Sequence, residues 1–263
     1  MSIDASARVH PSAVIEPGAV IGPGAEVGAF CMVGPDVVLG PRVVLKSHVV
    51  VSGLTEIGEE TLVFPFACLG EVPQDLKFKG EKSRLTIGAR NRIREHVTMN
   101  TGTEGGGFVT RIGDDGLFMA GCHVAHDCQI GNRVILVNHA SIAGHCVLED
   151  EVIVGGLSGV HQFVRIGRGA IIGAVTMVTA DVIPHGLVQA PRGQLEGLNL
   201  VGLKRRGVPK PEISALRDLY MALGEGNFRE SARRLSDEVE GSYAAEVLEF
   251  ILGPSDRSFL TPR

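Results

Sequence analysis

Tryptophan is absent from this chain, and tyrosine occurs only twice in 263 residues. Aromatic side chains make up 5% of the sequence, which suits a narrow core with little room for rings. No run of 18 or more apolar residues occurs, so a membrane-spanning helix is not expected. Excess positive charge is also missing. The formal net charge of −5 gives no general footprint for nucleic acid. The apolar pattern begins at Ile3, which leaves no room for a signal peptide.

What the chain does have is a period of six. Aliphatic residues stand at Ile3, Val9, Ile15, Ile21, Val27, Val33, Leu39, Leu45, Val51, Ile57, Val63 and Leu69. The frame returns at Ile87, Ile93 and Met99. It then runs unbroken from Ile112 through Phe118, Val124 and Ile130 to Val178. This is neither the 3.6 of a helix nor simple strand alternation. It is the hexapeptide signature of a parallel β-helix, in which each repeat supplies one short strand and a turn.

In such a coil the residue two places before each aliphatic also points inward. That position reads Ala7, Ala13, Ala19, Ala25 and Cys31 in the first run, and Cys122, Cys128, Val134, Ala140 and Cys146 in the second. Small residues there fit a thin prism. Four of the five cysteines occupy this position and read as buried small hydrophobes rather than disulfides or metal ligands. The fifth, Cys68, lies off it. The usage fits a reducing, cytoplasmic setting. Periodicity leaves handedness open. The hexads resemble those of hexapeptide-repeat acyltransferases, and this resemblance implies a left-handed coil of three hexads, or 18 residues, per turn.

The frame breaks twice, over residues 70–86 and 100–111, and the second break contains Gly105, Gly106 and Gly107. Insertions in a solenoid emerge as loops, often on the binding face, although many are neutral surface excursions. The hexads stop near residue 184. The expected organisation is therefore a β-helix over 1–190 and an α-helical unit over 191–263. Pro184, Pro191, Pro209 and Pro211 punctuate the connector. Three helices are expected. The first begins near Pro211, with Ile213, Leu216, Tyr220 and Leu223 on one face. The second is capped by Asn227 and carries Phe228, Leu235 and Val239. The third follows Ser242, with Ala244, Val247, Leu248 and Ile251. Such a unit would cover an open end whose unpaired backbone invites association.

Five of nine histidines fall between 123 and 161: His123, His126, His139, His145 and His161. Two functional readings compete. One is a metal site, as in γ-type carbonic anhydrases, which bind zinc through three histidines between subunits. The other is a general base with polar assistants. Residues 18 apart stack on successive coils, roughly 4.8 Å apart. His126, Gly144 and Gln162 form one stack, and Asp127 and His145 the next. A base, a carboxylate, a second histidine and a glycine amide thus share one edge. A single corner histidine is commonly just solvated, but this grouping favours chemistry.

Longer motifs narrow the family. They are Ile93-Arg94-Glu95-His96-Val97-Thr98, Gly105-Gly106-Gly107, His123-Val124-Ala125-His126-Asp127-Cys128, Ala143-Gly144-His145, Val160-His161-Gln162-Phe163 and Gly202-Leu203-Lys204-Arg205-Arg206-Gly207. The run from Gly70 to Lys77 matches an inserted loop. With these the chain resembles the UDP-N-acetylglucosamine O-acyltransferases that open lipid A synthesis, over essentially its whole length.

The resemblance implies transfer of a 3-hydroxyacyl group from acyl carrier protein to the glucosamine 3-hydroxyl of UDP-N-acetylglucosamine. By the same resemblance His126 is the general base, Asp127 its partner and Gly144 the oxyanion donor. Gln74, Asp75, Lys77, His123, His145, His161 and Gln162 would surround the sugar, diphosphate and acyl chain. Asn199, Arg205 and Arg206 would face the nucleotide. Ala174 would limit acyl-chain length. No cofactor or metal is implied. The assembly implied is a homotrimer with sites between subunits. Lys204, Arg205, Arg206, Lys210 and Arg217 are candidates for docking an acidic carrier protein. The chain departs from the family at Val201, where a glutamate is common. Rival readings are an N-acylating enzyme of the same pathway, an acetyl-CoA-dependent enzyme, and a non-catalytic hexapeptide scaffold. The first usually has a large domain ahead of its hexads, and the second does not explain the loop at 70–80. The third leaves the histidine grouping without purpose.

Overall fold

The computed structural model describes residues 2–189, 194–224, 227–237, 239, 241–255 and 257–261. Pro191 and the boundary at 190/191 lie outside these residues. Most hexads form a two-residue strand whose first residue faces out and whose second faces in, as at Val20–Ile21 and Val38–Leu39. Strands stack in parallel with an 18-residue step, Val20 on Val38 and Ile130 on Leu148. Three sheets result. Nine-stranded sheet A runs from Ser2–Ile3 to Arg165–Ile166. Eleven-stranded sheet B runs from Arg8–Val9 to Gln194–Leu198, and nine-stranded sheet C from Val14–Ile15 to Met177–Val178. The fold is a left-handed parallel β-helix.

The core is the inside of this prism. Leu45, Val63, Leu69, Phe118, Leu136 and Ile142 are fully buried, each worth about 1.5–3 kcal/mol of transfer free energy. The small inward positions are equally buried at Ala25, Cys31, Cys122, Cys128 and Cys146. These thiols donate to main-chain carbonyls, Cys128 Sγ to Ala143 O at 3.1 Å and Cys146 Sγ to His161 O at 3.0 Å. Burial pushes the Cys122 thiol up to about 11, so it is no nucleophile. One inward expectation fails. Ile3 is 40% exposed, and Val9 and Ile15 are half-buried, because these strands begin their sheets and are covered on one side only.

Most corners are turned by a residue with positive φ, and most of these are not glycine. Arg42 (55°), His48 (57°), Asp127 (60°) and His145 (62°) are examples. That conformation is unfavourable for L-residues. Here it is supported by the coil below: Arg42 N–H donates to Pro23 O at 2.8 Å, and His145 N–H to His126 O at 3.0 Å. The corners differ in chemistry. Between sheets A and B, charges alternate, with Arg42 Nε 2.9 Å from Glu60 Oε1 and Arg90 Nε 2.7 Å from Asp115 Oδ1. Between B and C, the rings of Phe30, His48, Phe66 and His96 follow one another at 5.0–5.1 Å. The corner between C and A holds Asp127, His145 and Phe163.

The two insertions interrupt the step. Ile57 pairs with Ile87, and Ile87 with Ile112. Strands Cys68–Glu71, Arg84–Ile87, Thr98–Asn100 and Val109–Ile112 extend into the expected loops, so the excursions themselves cover 72–83 and 101–108. Beyond the last coil, Ile171–Ile172 pairs in parallel with Gly186–Gln189, which pairs antiparallel with Gln194–Leu198. Among the described residues, four α-helices follow: α1 Leu200–Arg205, α2 Lys210–Leu223, α3 Phe228–Leu235 and α4 Ser242–Leu252. The first was not expected. Asn199 starts it by accepting the Gly202 N–H at 2.9 Å. The helix capped by Asn227 ends at Leu235, short of Val239. The unit is tied to the last coil through Asp181. This fully buried carboxylate accepts from Arg165 Nε at 2.8 Å and Ser255 Oγ at 2.6 Å.

Candidate active site

His126 and Asp127 follow the sheet C strand His123–Val124 and precede the sheet A strand Gln129–Ile130. Their exposures of 4% and 5% place both inside the corner. His126 Nδ1 lies 2.8 Å from Asp127 Oδ2. The carboxylate has further donors: Thr103 N–H reaches Oδ1 at 2.8 Å, and Thr103 Oγ1 reaches Oδ2 at 2.6 Å. Asp127 N–H in turn donates to Thr110 Oγ1 at 2.8 Å. A buried carboxylate with these partners is held in one orientation. Neither threonine was singled out in the sequence. The visible signal was the glycine run beside them. At Gly106 any Cβ would collide with the Asp127 side chain, so only glycine lets this loop close over the carboxylate.

One coil further on, Gly144 backs the imidazole. A Cβ there would stand 2.6 Å from His126 Nε2. Among the described residues, Gly144 N–H has no hydrogen-bond acceptor. His145 Nδ1 is 3.8 Å from Asp127 Oδ2, and its ring meets His126 edge-on at 5.0 Å and stacks on Phe163 at 4.4 Å. Burial pulls the His145 imidazole below the usual histidine range. The Asp127 charge opposes this, and Asp75 and Lys77 also act on the ring. Gln74 of the first inserted loop shares a groove lining with His126 and Gly144. His123 is lowered too, by burial and then by its neighbour His126, and its Nδ1 is 2.8 Å from Thr98 Oγ1.

A groove of roughly 410 Å³ opens in front of His126 and runs over the outer face of sheet C. Gln74, His123, Gly144, His161, Gln162 and Met177 line it, together with Ser141 and Gly159. Of the expected site residues, the structure thus brings Gln74, His123, His126, Gly144, His161 and Gln162 together, with Asp127 and His145 behind. Asp75 closes a turn in the inserted loop by accepting Lys77 N–H at 3.0 Å. His139 stands apart, on the corner between sheets B and C against Gly121.

Asn199, Arg205 and Arg206 do not line this groove. Asn199 Nδ2 donates to Gly169 O at 2.9 Å, on the corner between sheets A and B. Arg206 is held there as well, with Nε 3.0 Å from Glu151 Oε2 and Nη2 3.0 Å from His185 Nδ1. Arg205 and Lys204 are exposed. Ala174 is exposed on the corner between B and C and lies off the groove lining. His126, Asp127 and His145 offer one ligand atom each within 4.8 Å of one another, the geometric minimum for a shared cation. The short His126–Asp127 hydrogen bond already uses two of those atoms.

A buried histidine–carboxylate pair, open on one side to a groove and faced by a free amide, is equipped for proton transfer next to a developing oxyanion. Comparison with known proteins bears on its context. The family described as bacterial transferase hexapeptide (six repeats) matches residues 18–53, and that described as Udp N-acetylglucosamine O-acyltransferase, Domain 2, matches 181–260. The acyl-(acyl-carrier-protein)–UDP-N-acetylglucosamine O-acyltransferase of Paracoccus denitrificans is 79% identical over 201 residues, covering 76% of this chain and 77% of that protein. The protein of the same name from Agrobacterium fabrum is 45% identical over 217 residues, 81% of this chain and 80% of its own. The structure of UDP-N-acetylglucosamine acyltransferase from Campylobacter jejuni superposes with a TM-score of 0.92 at 38% identity, covering 97% of this chain and all of that one. The chain belongs to the acyl-(acyl-carrier-protein)–UDP-N-acetylglucosamine O-acyltransferase family.

Proposed function

We propose that the protein transfers a 3-hydroxyacyl group from acyl carrier protein to the glucosamine 3-hydroxyl of UDP-N-acetylglucosamine, the first step of lipid A synthesis in the cytoplasm. The observation that carries this reading is the His126–Asp127 pair, buried and hydrogen-bonded at 2.8 Å, at the head of a groove. A sugar hydroxyl is a poor nucleophile at neutral pH. His126 Nε2 takes its proton as the oxygen attacks the thioester carbonyl. The carbonyl oxygen gains charge and accepts from Gly144 N–H. The C–S bond then breaks, and the carrier thiolate leaves with the proton returned by His126. No acyl-enzyme is required, because hydroxyl and thioester meet directly.

Gln74, Asp75, Lys77, His123, His145, His161 and Gln162 bind the sugar, diphosphate and acyl chain in this scheme, and Asn199, Arg205 and Arg206 bind the nucleotide. The second set sits on another corner of the prism, so a complete site needs a neighbouring copy. The outer face of sheet C supports this reading. It presents Val14, Met32, Val50, Cys68, Thr98, His123, Ser141, Gly159 and Met177, a row without acidic or basic side chains other than one histidine, which suits packing about a threefold axis. The helices from Leu200 onward and the exposed Lys204, Arg205, Lys210 and Arg217 would meet the acidic carrier protein. The test is incubation with UDP-N-acetylglucosamine and a set of 3-hydroxyacyl carrier proteins, with product read by mass. Absence of an acylated nucleotide sugar with every chain length would remove the proposal.

A further inference from the structure

The second insertion does not reach into the groove. It packs against Asp127, and its hydrogen bonds to that carboxylate both come from one residue. Thr103 is 6% exposed and donates twice, from N to Oδ1 at 2.8 Å and from Oγ1 to Oδ2 at 2.6 Å. Thr103 also precedes the 3-10 turn Glu104–Gly106, where a threonine hydroxyl commonly caps the turn. Here it makes no capping bond. The turn is held instead by the Thr103 carbonyl, which accepts Gly106 N–H at 3.2 Å and Phe108 N–H at 2.8 Å. The hydroxyl is left for the carboxylate alone. The same loop is anchored to the first insertion by Gly102 N–H on Arg84 O at 3.2 Å and Ser83 Oγ on Thr101 Oγ1 at 3.0 Å.

From this geometry we infer that Thr103 is a positioning residue for the reaction, fixing the Asp127 carboxylate so that His126 keeps Nδ1–H toward Oδ2 and its Nε2 lone pair toward the groove. The inference rests on the reading of His126 as the base. A carboxylate free to rotate about its Cβ–Cγ bond offers the ring a weaker acceptor and lets the other tautomer compete. With Thr103 holding both oxygens, Oδ2 faces the ring in one geometry. Gly106 and Gly102 are the consequence in sequence, since side chains at either position would meet Asp127.

The test compares Thr103→Val, which keeps the shape and removes the donor, with Thr103→Ser, which keeps the donor. The expected result for Thr103→Val is a kcat lowered roughly tenfold or more, the scale of a lost hydrogen bond to a charged group. KM for both substrates should stay near wild type, Tm should fall by only a few degrees for the lost buried hydrogen bond, and Thr103→Ser should recover most of kcat. Nitrogen-15 NMR of the His126 imidazole, recorded without substrate, should show one Nδ1–H tautomer in the wild type and a mixture in Thr103→Val. Thr103→Ala serves the same comparison if the valine variant does not fold. Wild-type kcat with an unchanged tautomer overturns the inference. So does a loss that appears in KM rather than kcat, or that Thr103→Ser fails to restore. Because the tautomer is read without turnover, failure of the wild type to transfer acyl groups would remove the proposed function and leave this measurement standing.

Discussion

Gly144 is packed against the face of the His126 ring, with room for an amide hydrogen and none for a methyl group: a Cβ would stand 2.6 Å from Nε2. Glycine at this coil position therefore does two things. It lets the imidazole settle beside Asp127, and it leaves an amide N–H that has no acceptor among the described residues in the groove lining beside His126.

Gly144→Ala should accordingly push the His126 ring off its hydrogen bond to Asp127. Steady-state kinetics should show a kcat loss of roughly 10²-fold or more, the scale of a lost base or oxyanion donor. Tm should fall by only a few degrees, because the ring can swing into the groove. A variant with wild-type kcat would show that neither the amide nor the ring position matters.

His126→Ala should lose roughly 10²-fold or more in kcat, while nucleotide-sugar binding and assembly persist, because a base acts mainly in the transition state. Calorimetric titration with UDP-N-acetylglucosamine and light scattering separate the effects. Turnover within a factor of about two of wild type, well short of the expected loss, would take His126 out of the mechanism.

The period of six was legible because inward positions are pinned by packing. Ile21, Leu45, Leu136 and Ile172 follow it without exception and are buried. The stacking of His126 on Gly144 and of Asp127 on His145 was legible for the same reason, since an 18-residue coil fixes neighbours by arithmetic. Thr103 and Thr110 were not legible. They lie in or beside an insertion, where the chain leaves the frame and distance along the sequence no longer gives position in space. Helix α1 was hidden for a different reason. It is six residues long and Asn199, rather than an apolar stripe, defines its start. The placement of Asn199 and Arg206 on a second corner was likewise beyond any local motif.

Acid should destabilise the fold through His123 and His145. Both imidazoles are held below the usual histidine range, chiefly by burial. The folded state therefore favours their neutral forms, and the unfolded chain binds the extra protons first as pH falls. The stability they contribute is present above the ordinary histidine value of about 6.5 and is lost as pH drops through the lowered folded values. Tm measured from pH 7.5 to 5 should decline, and His123→Gln should flatten the decline. An identical slope in wild type and variant would show that His123 does not contribute.

Protein purified without added metal should carry no stoichiometric zinc. The three groups that approach one another, His126, Asp127 and His145, include a pair already joined by a hydrogen bond at 2.8 Å, and the Asp127 oxygens are further occupied by Thr103. A cation would have to break these bonds. Elemental analysis checks this directly. One zinc per subunit, together with activity abolished by a chelator, would restore the metal reading of the histidine-rich coils.

The last expectation concerns chain length and the far end of the groove. The groove leaves His126, crosses Ser141 and Gly159, and ends at Met177. Ala174 sits on the same final coil, three residues earlier and exposed. In a trimer that covers the face of sheet C, a chain following the groove would reach this corner. Each buried methylene is worth about 0.8 kcal/mol, so one methyl group of lost room at the chain end shifts selectivity by several-fold. Ala174→Gly should move preference toward longer 3-hydroxyacyl chains and Ala174→Met toward shorter ones. Met177→Ala offers an internal comparison at the groove's observed end. Competition between carrier proteins of mixed chain length gives the ratios of kcat/KM. If both Ala174 variants leave the ratios unchanged while Met177→Ala shifts them, the chain stops at Met177, one coil corner short of Ala174.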